Sequence, residues 1–472
     1  MQRPRDQSGV KLEHSMRQLG TFAILGAWAL AAHGGSFEPT FTATQLRSDL
    51  KEIDRALHDM PADLSHSVDA HALDRALDEL DARLEKSPPL TRDEAWRVFA
   101  TLNPLLADGH LFVGFVDWRA DVRAHLASGG SLFPFQVDVT PGCDLSIHQN
   151  PLSSYLPPEA DARIRAVNGI PANEVCEQLM ARVHGDTRVF RADLLTRRFW
   201  FFYWKVFGAP EYYELTLEPG MPGRIEAGAH RYKGSARLPD LLEAEAAFRR
   251  QFDLEFIADD AGFKTSSGAI LSLRTFAWPN KDEVLAFTKQ SFEALQRSHI
   301  KTLIIDLRDN GGGNDDQWIE GVMPYIATKR WRTASGFRKR VVTPDLAKGE
   351  KVGDVVDGRM ENWFEPQPEN PLHFSGDVYV AIGPGTYSSA VVMATVFQDF
   401  GFGKVIGSGD SVRANQSGGT RRTTLTNTGL IVVTPRFVLR RPNGKAEPLY
   451  LIPDIVLAPG ASLVDFPSTM KK

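Results

Sequence analysis

The sequence of 472 residues contains only two cysteines, Cys143 and Cys176. It has no HExxH and no Cys/His ligand spacing, so neither a metal site nor a cofactor is expected. The phosphate-cradling patterns GxxxxGK[ST] and GxGxxG are also absent, which removes the usual routes to nucleotide binding. A formal net charge of -5 and a pI near 6.2 leave no basic footprint, so nucleic acid is not an expected partner. Beyond the N-terminal region no stretch reaches the ~18 uninterrupted apolar residues of a membrane span. Internal repeats and low-complexity tails are missing too. What remains is ordinary globular composition, 42% hydrophobic and 24% charged, in a chain long enough for two or three domains. The two cysteines either pair, as an oxidising compartment would allow, or stand as separate buried thiols.

The first distinctive stretch is Leu19 to Ala32, short and apolar, preceded by Arg17 and by Arg3, Arg5 and Lys11. Ala29-Leu30-Ala31 forms an A-x-A cleavage pattern. Together these describe a secretory signal peptide over residues 1–32, with Met16 as a second candidate start, and so an exported, periplasmic or extracellular protein. The alternatives are a short apolar helix or an uncleaved anchor.

Residues 36–125 have helical texture. Leu46, Leu50, Ile53 and Leu57 recur at helical spacing, as do Leu73, Leu77, Leu80 and Leu84. Thr91 with Glu94 forms a capping box for a third helix bearing Trp96, Phe99, Leu102 and Leu105. That pattern breaks at Asp108-Gly109-His110 and continues as a strand, Leu111 to Phe115. A histidine on such a turn is well held and able to face a cleft.

Over residues 126–190 short strands alternate with turns, and Asn168-Gly169-Ile170-Pro171 leads into a helix from Ala172. Residues 191–250 comprise an aromatic helix, Leu194 to Phe207, and a turn-rich linker. The helix carries aromatics on nearly every side, which suits packing between domains; an apolar ligand groove is the alternative. From 251 onward strand and helix alternate as in a βαβ core. Thr302 to Leu307 runs into Arg308-Asp309-Asn310-Gly311-Gly312-Gly313, whose glycine turn leaves N–H groups free as an anion nest. After Arg330, the stretch to Phe374 is polar and proline-bearing and is expected to be a long surface excursion.

The centre of the chain's organisation is Gly376 to Gly407. Apolar Val378 to Ile382 is followed by Gly383-Pro384-Gly385, then by Thr386-Tyr387-Ser388-Ser389-Ala390 opening an apolar helix that ends near Gly401, then by a strand at Lys404 to Ile406. This puts a hydroxyl at the positive end of a helix, where free N–H groups can bind an oxyanion. Ser388 is the candidate nucleophile. The alternative is that Ser388 and Ser389 merely cap the helix.

Four blocks now stand in order: DGHLFV from Asp108, LIIDLRDNGGG from Leu303, TYSSA with VVMATVFQDFG, and NGKAE with IPDI. In this order they resemble the serine peptidases of the C-terminal processing (tail-specific) and tricorn-core family. The resemblance implies an α/β fold: a ClpP/crotonase-like spiral β/α core over 251–472, an N-terminal helical region and a small PDZ-like β-rich domain. The strand–Asn-Gly–helix element at 162–183 is similar to the second half of a PDZ domain. Proteins or peptides are the implied substrates.

The tail-specific branch uses a lysine base, and counting along the segment places Arg413 at that position. Arginine keeps its proton in proteins and cannot act as a base. Lys404 and Lys445 are the remaining lysine candidates. The tricorn-like branch uses an N-terminal histidine and a late glutamate, which correspond to His110 and Glu447. The resemblance therefore implies Ser388 as nucleophile, His110 as general base and Glu447 as orienting acid, with oxyanion donors at Ser389 and Gly312. Asp399 matches an acid of the tail-specific branch and is left out of the site. Two other readings stay open: a non-catalytic protein binding an apolar ligand or peptide on the same scaffold, and a zymogen whose cleft is covered by Arg332 to Phe374.

Overall fold

In the computed structural model, residues 38–148, 157–220, 224–237, 239, 242, 245–258, 266–409, 411–458 and 460–466 are described. Residues 1–32, expected to be a signal peptide, lie outside the described residues.

Helical spacing in the N-terminal region becomes two amphipathic helices, Ala43–Asp59 and Ala70–Glu85. Leu46, Leu50, Ile53 and Leu57 form the buried face of the first, and Leu73, Leu77, Leu80 and Leu84 that of the second. Thr42 with Gln45 caps the first helix, and Thr91 with Glu94 caps Arg92–Phe99, each reciprocally. The first helix is also tied to the far end of the sequence. The carboxylate of Asp49, fully buried, accepts from the Asn427 and Thr428 backbone N–H groups at 3.0 and 2.9 Å and from Thr428 Oγ1 at 2.7 Å.

A six-stranded antiparallel sheet follows, ordered Val137–Val139, Leu145–Ile147, Arg163–Val167, Tyr212–Glu218, Gly228–Lys233, with Ile170–Pro171 pairing off this path with Arg163–Val167. It runs past residue 190, because Tyr212–Glu218 pairs beside Arg163–Val167 and carries the sheet into the expected linker. Cys143 and Cys176 are bonded, joining the turn after Val137–Val139 to the helix Ala172–Met180.

The aromatic helix extends over Arg188–Phe207 with a kink at Arg198. Phe199, Trp200, Phe201, Phe202 and Tyr203 are all buried. Phe201 meets Phe115 edge-on at 5.6 Å on one side, and Phe199 meets Phe133 at 5.0 Å on the other. The aromatics are therefore core between the helical region and the β-rich sheet, because each face has its own neighbour.

The C-terminal core sheet is ordered Phe252–Ala258, Ser266–Leu273, Thr302–Asp306, Asp377–Ile382, Lys404–Gly407, Ile455–Val456. Its first pair is antiparallel and the others parallel. Both faces of a parallel sheet are covered, which explains the unbroken apolar runs in Leu303–Ile305 and Val380–Ile382. The helices Lys281–Arg297 and Ser389–Phe400 belong to the same layered core.

Residues 332–374 differ from the expected excursion. Gly336–Arg340 and Val355–Arg359 are antiparallel strands in a second sheet with Phe437–Arg440 and Ser417–Gly418. Their residues are largely half-exposed or exposed, so the charges that read as loop lie on a solvated sheet face.

Replacing Asp49 leaves several buried donors without an acceptor. Asp49→Ala is expected to lower unfolding free energy by at least about 3 kcal/mol, as hydrogen bonds to a charged group are worth about 1.5–3 kcal/mol each. Urea unfolding of the two proteins measures this; a loss under about 1 kcal/mol would show that the tie is dispensable.

Candidate active site

The turn at 383–388 is held by the loop that follows Thr302–Asp306. Thr386 Oγ1 donates to the Leu307 carbonyl at 2.7 Å, and the Tyr387 N–H donates to the Asn310 carbonyl at 2.9 Å. Arg197 of the aromatic helix donates to Asp309 at 2.8 Å and fills the space beside Gly385, where an added Cβ would stand 2.1 Å from its guanidinium. The strand-to-helix transition is therefore braced from two sides.

At the end of this turn Ser388 has φ +54° and ψ −124°. A side-chain-bearing residue adopts such a conformation only where the surroundings enforce it, and a sharp strand-to-helix elbow is one such place. The Ser388 N–H donates to Gln416 Oε1 at 2.9 Å. Its hydroxyl has no hydrogen-bond partner among the described residues, and the side chain is partly exposed. It is not the helix's side-chain cap.

Gly312 lies against this elbow with φ +94°, and a Cβ there would stand 2.7 Å from the Ser388 Cβ. Only glycine permits that approach. The Gly312 N–H donates to Asn310 Oδ1 at 2.8 Å, while those of Gly311, Gly313 and Ser389 have no acceptor among the described residues. The Ser389 hydroxyl is turned inward, donating to Asp315 and accepting from Trp318 Nε1 at 3.0 Å.

His110 comes to the same place from 278 residues earlier. Its ring packs on Tyr387 with centroids 4.8 Å apart, and 16% of its side chain is exposed. Nδ1 is 3.0 Å from Ser417 Oγ and 3.9 Å from Asp108 Oδ1. Burial holds the imidazole below the ordinary value of 6.5, opposed by the negative charge of Asp108. Neighbouring His184, stacked on Phe112 at 3.9 Å, is pushed down to about 3 by burial.

Beneath the histidine lies a buried polar cluster. The Tyr387 hydroxyl is 3.1 Å from Asp108 Oδ1 and 2.9 Å from Asp186 Oδ1, and accepts from the Gly109 N–H at 2.8 Å. A Cβ at Gly109 would meet the Tyr387 ring at 2.6 Å, so this position is closed to any side chain. Asp186 accepts from the Arg413 N–H at 2.9 Å and faces its guanidinium at 3.5 Å. Arg413 Nη1 also donates to the Ala107 carbonyl at 2.6 Å. Burial and then the nearby charge of Asp108 push Asp186 up to about 6, against the pull of Arg413.

Of the residues expected in the site, Ser388, Ser389 and Gly312 are together, and His110 adjoins them through Tyr387. Glu447 does not join them. It lies in an exposed turn, without a hydrogen bond or ion pair among the described residues, because Asn443 to Leu449 stands out from the core. Lys404 and Lys445 are likewise exposed and unpaired among these residues. Arg413 is a buried anchor, 7% exposed. Asp399 pairs with buried Arg441 and accepts from Asn443, fixing the start of that turn. Tyr387, Asp186, Gln416 and Ser417 were not legible as site residues, since no motif spacing links them; each arrives by long-range packing.

Arg413→Ala would leave the Asp186 charge buried without its partner. A loss of about 3–5 kcal/mol in unfolding free energy is expected from urea melts near neutral pH. A change under about 1 kcal/mol would mean that Tyr387 and backbone donors alone sustain the buried carboxylate.

Residues 269–457 match the family model of peptidase family S41. No curated protein sequence matches the chain. Among solved structures the chain is similar to mature CPAF, with a TM-score of 0.60 and 14% identity over 88% of this chain and 93% of that one. It is similar also to mature CPAF complexed with lactacystin, with a TM-score of 0.61 and 14% identity over 88% and 94%. At that identity the structural likeness is one of fold. The family match falls on the core that carries Ser388, the glycine turn and the late strands; over those residues the chain is similar to peptidase family S41, and the protein is a serine-type peptidase.

Proposed function

We propose that the protein is an exported peptidase that cleaves peptide bonds through an acyl-enzyme on Ser388, with His110 as general base. The observation that carries this reading is the Ser388 elbow: an unpaired hydroxyl at positive φ, pressed against Gly312, on a loop whose Tyr387 packs on the His110 ring. Ser388 Oγ attacks the scissile carbonyl carbon as His110 Nε2 takes its proton. The carbonyl oxygen becomes an oxyanion, held by N–H groups of Ser389 and the Gly311–Gly313 turn, including Gly312 once it exchanges Asn310 for the substrate. Collapse expels the amine, which leaves with the proton from His110. Water, deprotonated by the same nitrogen, then hydrolyses the ester and restores Ser388. Catalytic hydrogen bonds are often long before substrate arrives, so the unpaired Ser388 hydroxyl is compatible with this chemistry.

The resemblance that gives Glu447 the orienting role requires its turn to fold toward His110 on substrate binding. Export rests on the Leu19–Ala32 segment, and the Cys143–Cys176 bond suits an oxidising compartment. The six-stranded sheet with its Ala172–Met180 helix serves in this reading as the PDZ-like domain. Burial of the aromatic helix weighs against an apolar-ligand carrier, which needed that surface open.

Fluorophosphonate labelling tests the reading. Wild type should label, and Ser388→Ala and His110→Ala should not, before or after limited proteolysis. Labelling that appears only after nicking would favour the zymogen form, and none at all would overturn the peptidase chemistry. Burial lowers the His110 value, so the acidic limb of the labelling rate should have its midpoint below the ordinary histidine value of about 6.5. An acidic limb above about pH 8 would return the base to a lysine.

A further inference from the structure

We infer that Ser417 and Asp108 are the positioning residues that fix the tautomer of His110, Ser417 Oγ donating to Asp108 and accepting from Nδ1–H. The inference rests on the reading of His110 as the base for Ser388. Three observations lead to it. First, Nδ1 lies 3.0 Å from Ser417 Oγ but 3.9 Å from Asp108 Oδ1, so no carboxylate reaches the ring directly and the hydroxyl is its hydrogen-bond partner. Second, Ser417 Oγ is 3.0 Å from Asp108 Oδ1. Third, both residues are nearly inaccessible, with 5% of Ser417 and 2% of Asp108 exposed, so bulk water does not replace either partner.

The direction of the proton follows from counting. A hydroxyl has one proton and two lone pairs, and an ionised carboxylate only accepts. Asp108 Oδ1 already accepts from the His110 backbone N–H at 2.6 Å, which holds it as an acceptor. If Ser417 gave its proton to Nδ1, an oxygen lone pair would face a carboxylate oxygen at 3.0 Å, which is repulsive. The proton therefore goes to Asp108, and the Ser417 lone pair takes Nδ1–H. Nε2 is left with the lone pair that a base needs.

The backbone makes the relay rigid. Ser417 pairs with Val438 in the second sheet, and Asp108 lies two residues from the ring it serves. Tyr387 covers the ring face and touches Asp108 through its hydroxyl. The other titratable groups around the relay are Asp186, Arg413, His66 and His184, none of which is a hydrogen-bond partner of Nδ1. Glu447 is not a hydrogen-bond partner of Nδ1 either.

The test uses the full mature chain, with fluorophosphonate labelling rates over pH and nitrogen-15 histidine NMR as readouts. Ser417→Ala should slow labelling about 100-fold, and Ser417→Thr, which keeps the hydroxyl, should recover most of it. Asp108→Asn should slow labelling and move the acidic limb to lower pH, because the charge that favours the imidazolium is gone. Glu447→Gln should stay within about twofold of wild type. In NMR, wild-type His110 should carry its proton on Nδ1, and Ser417→Ala should populate the other tautomer. An unchanged rate and tautomer in Ser417→Ala, with His110→Ala inactive, would overturn the relay and leave the base intact. Full labelling of His110→Ala would instead overturn the base. A large loss in Glu447→Gln would return the orienting role to the glutamate. If Ser417→Ala fails to fold, the Asp108→Asn profile and the wild-type tautomer decide.

Discussion

The buried pairing of Asp186 with Arg413 is the constraint on which the site depends. It joins three segments far apart in sequence: the Ala107–His110 turn, the connection into the aromatic helix, and the loop after Lys404–Gly407. An isolated charge at either position would be costly in so dry a place. With both present, and with the Tyr387 hydroxyl and the Gly109 N–H also bonded to Asp186, the buried carboxylate is satisfied, while Arg413 Nε has no partner among the described residues. Arginine suits this task better than lysine because its planar fork serves a carboxylate and a carbonyl together. The position at which a lysine would be a base is thereby given over to architecture.

This division of labour explains the chemistry open to the site. Because a guanidinium does not serve as a base, the proposed chemistry gives proton transfer to His110, whose neutral form burial favours. The nucleophile side is stiff for a separate reason. Ser388 is held by Gln416 from one direction and by the absent side chain of Gly312 from the other. Two independently braced halves meet at the Tyr387 ring, which is the floor of His110 and the neighbour of Ser388 in sequence.

Much of this could be read before any coordinates. The core strands around Leu303–Ile305 and Val380–Ile382 announce themselves as short apolar runs, and the elbow and glycine turn as local motifs. His110 stands out because Asp-Gly-His ends a helix and begins a strand. Ser417 did not, since a serine in a glycine-rich loop has no distinguishing neighbours and its partner lies 307 positions away. Glu447 was selected by correspondence within a motif, and motif correspondence does not fix which way a turn projects. The strands at Gly336–Arg340 and Val355–Arg359 have no such signature, because a sheet with one wet face tolerates the charges that usually mark loops.

The long separations also bear on how the protein is made. The histidine, its hydroxyl partner and the serine come from positions 110, 417 and 388, and the strand holding Ser417 is itself paired to Phe437–Arg440. Such non-local closure is slow to form and cannot begin until the distant segments exist. During synthesis the N-terminal helices can pack while the histidine has nothing to act on. The nascent chain thus carries no assembled proteolytic centre beside its own ribosome, and the order of residues along the gene becomes a form of self-protection.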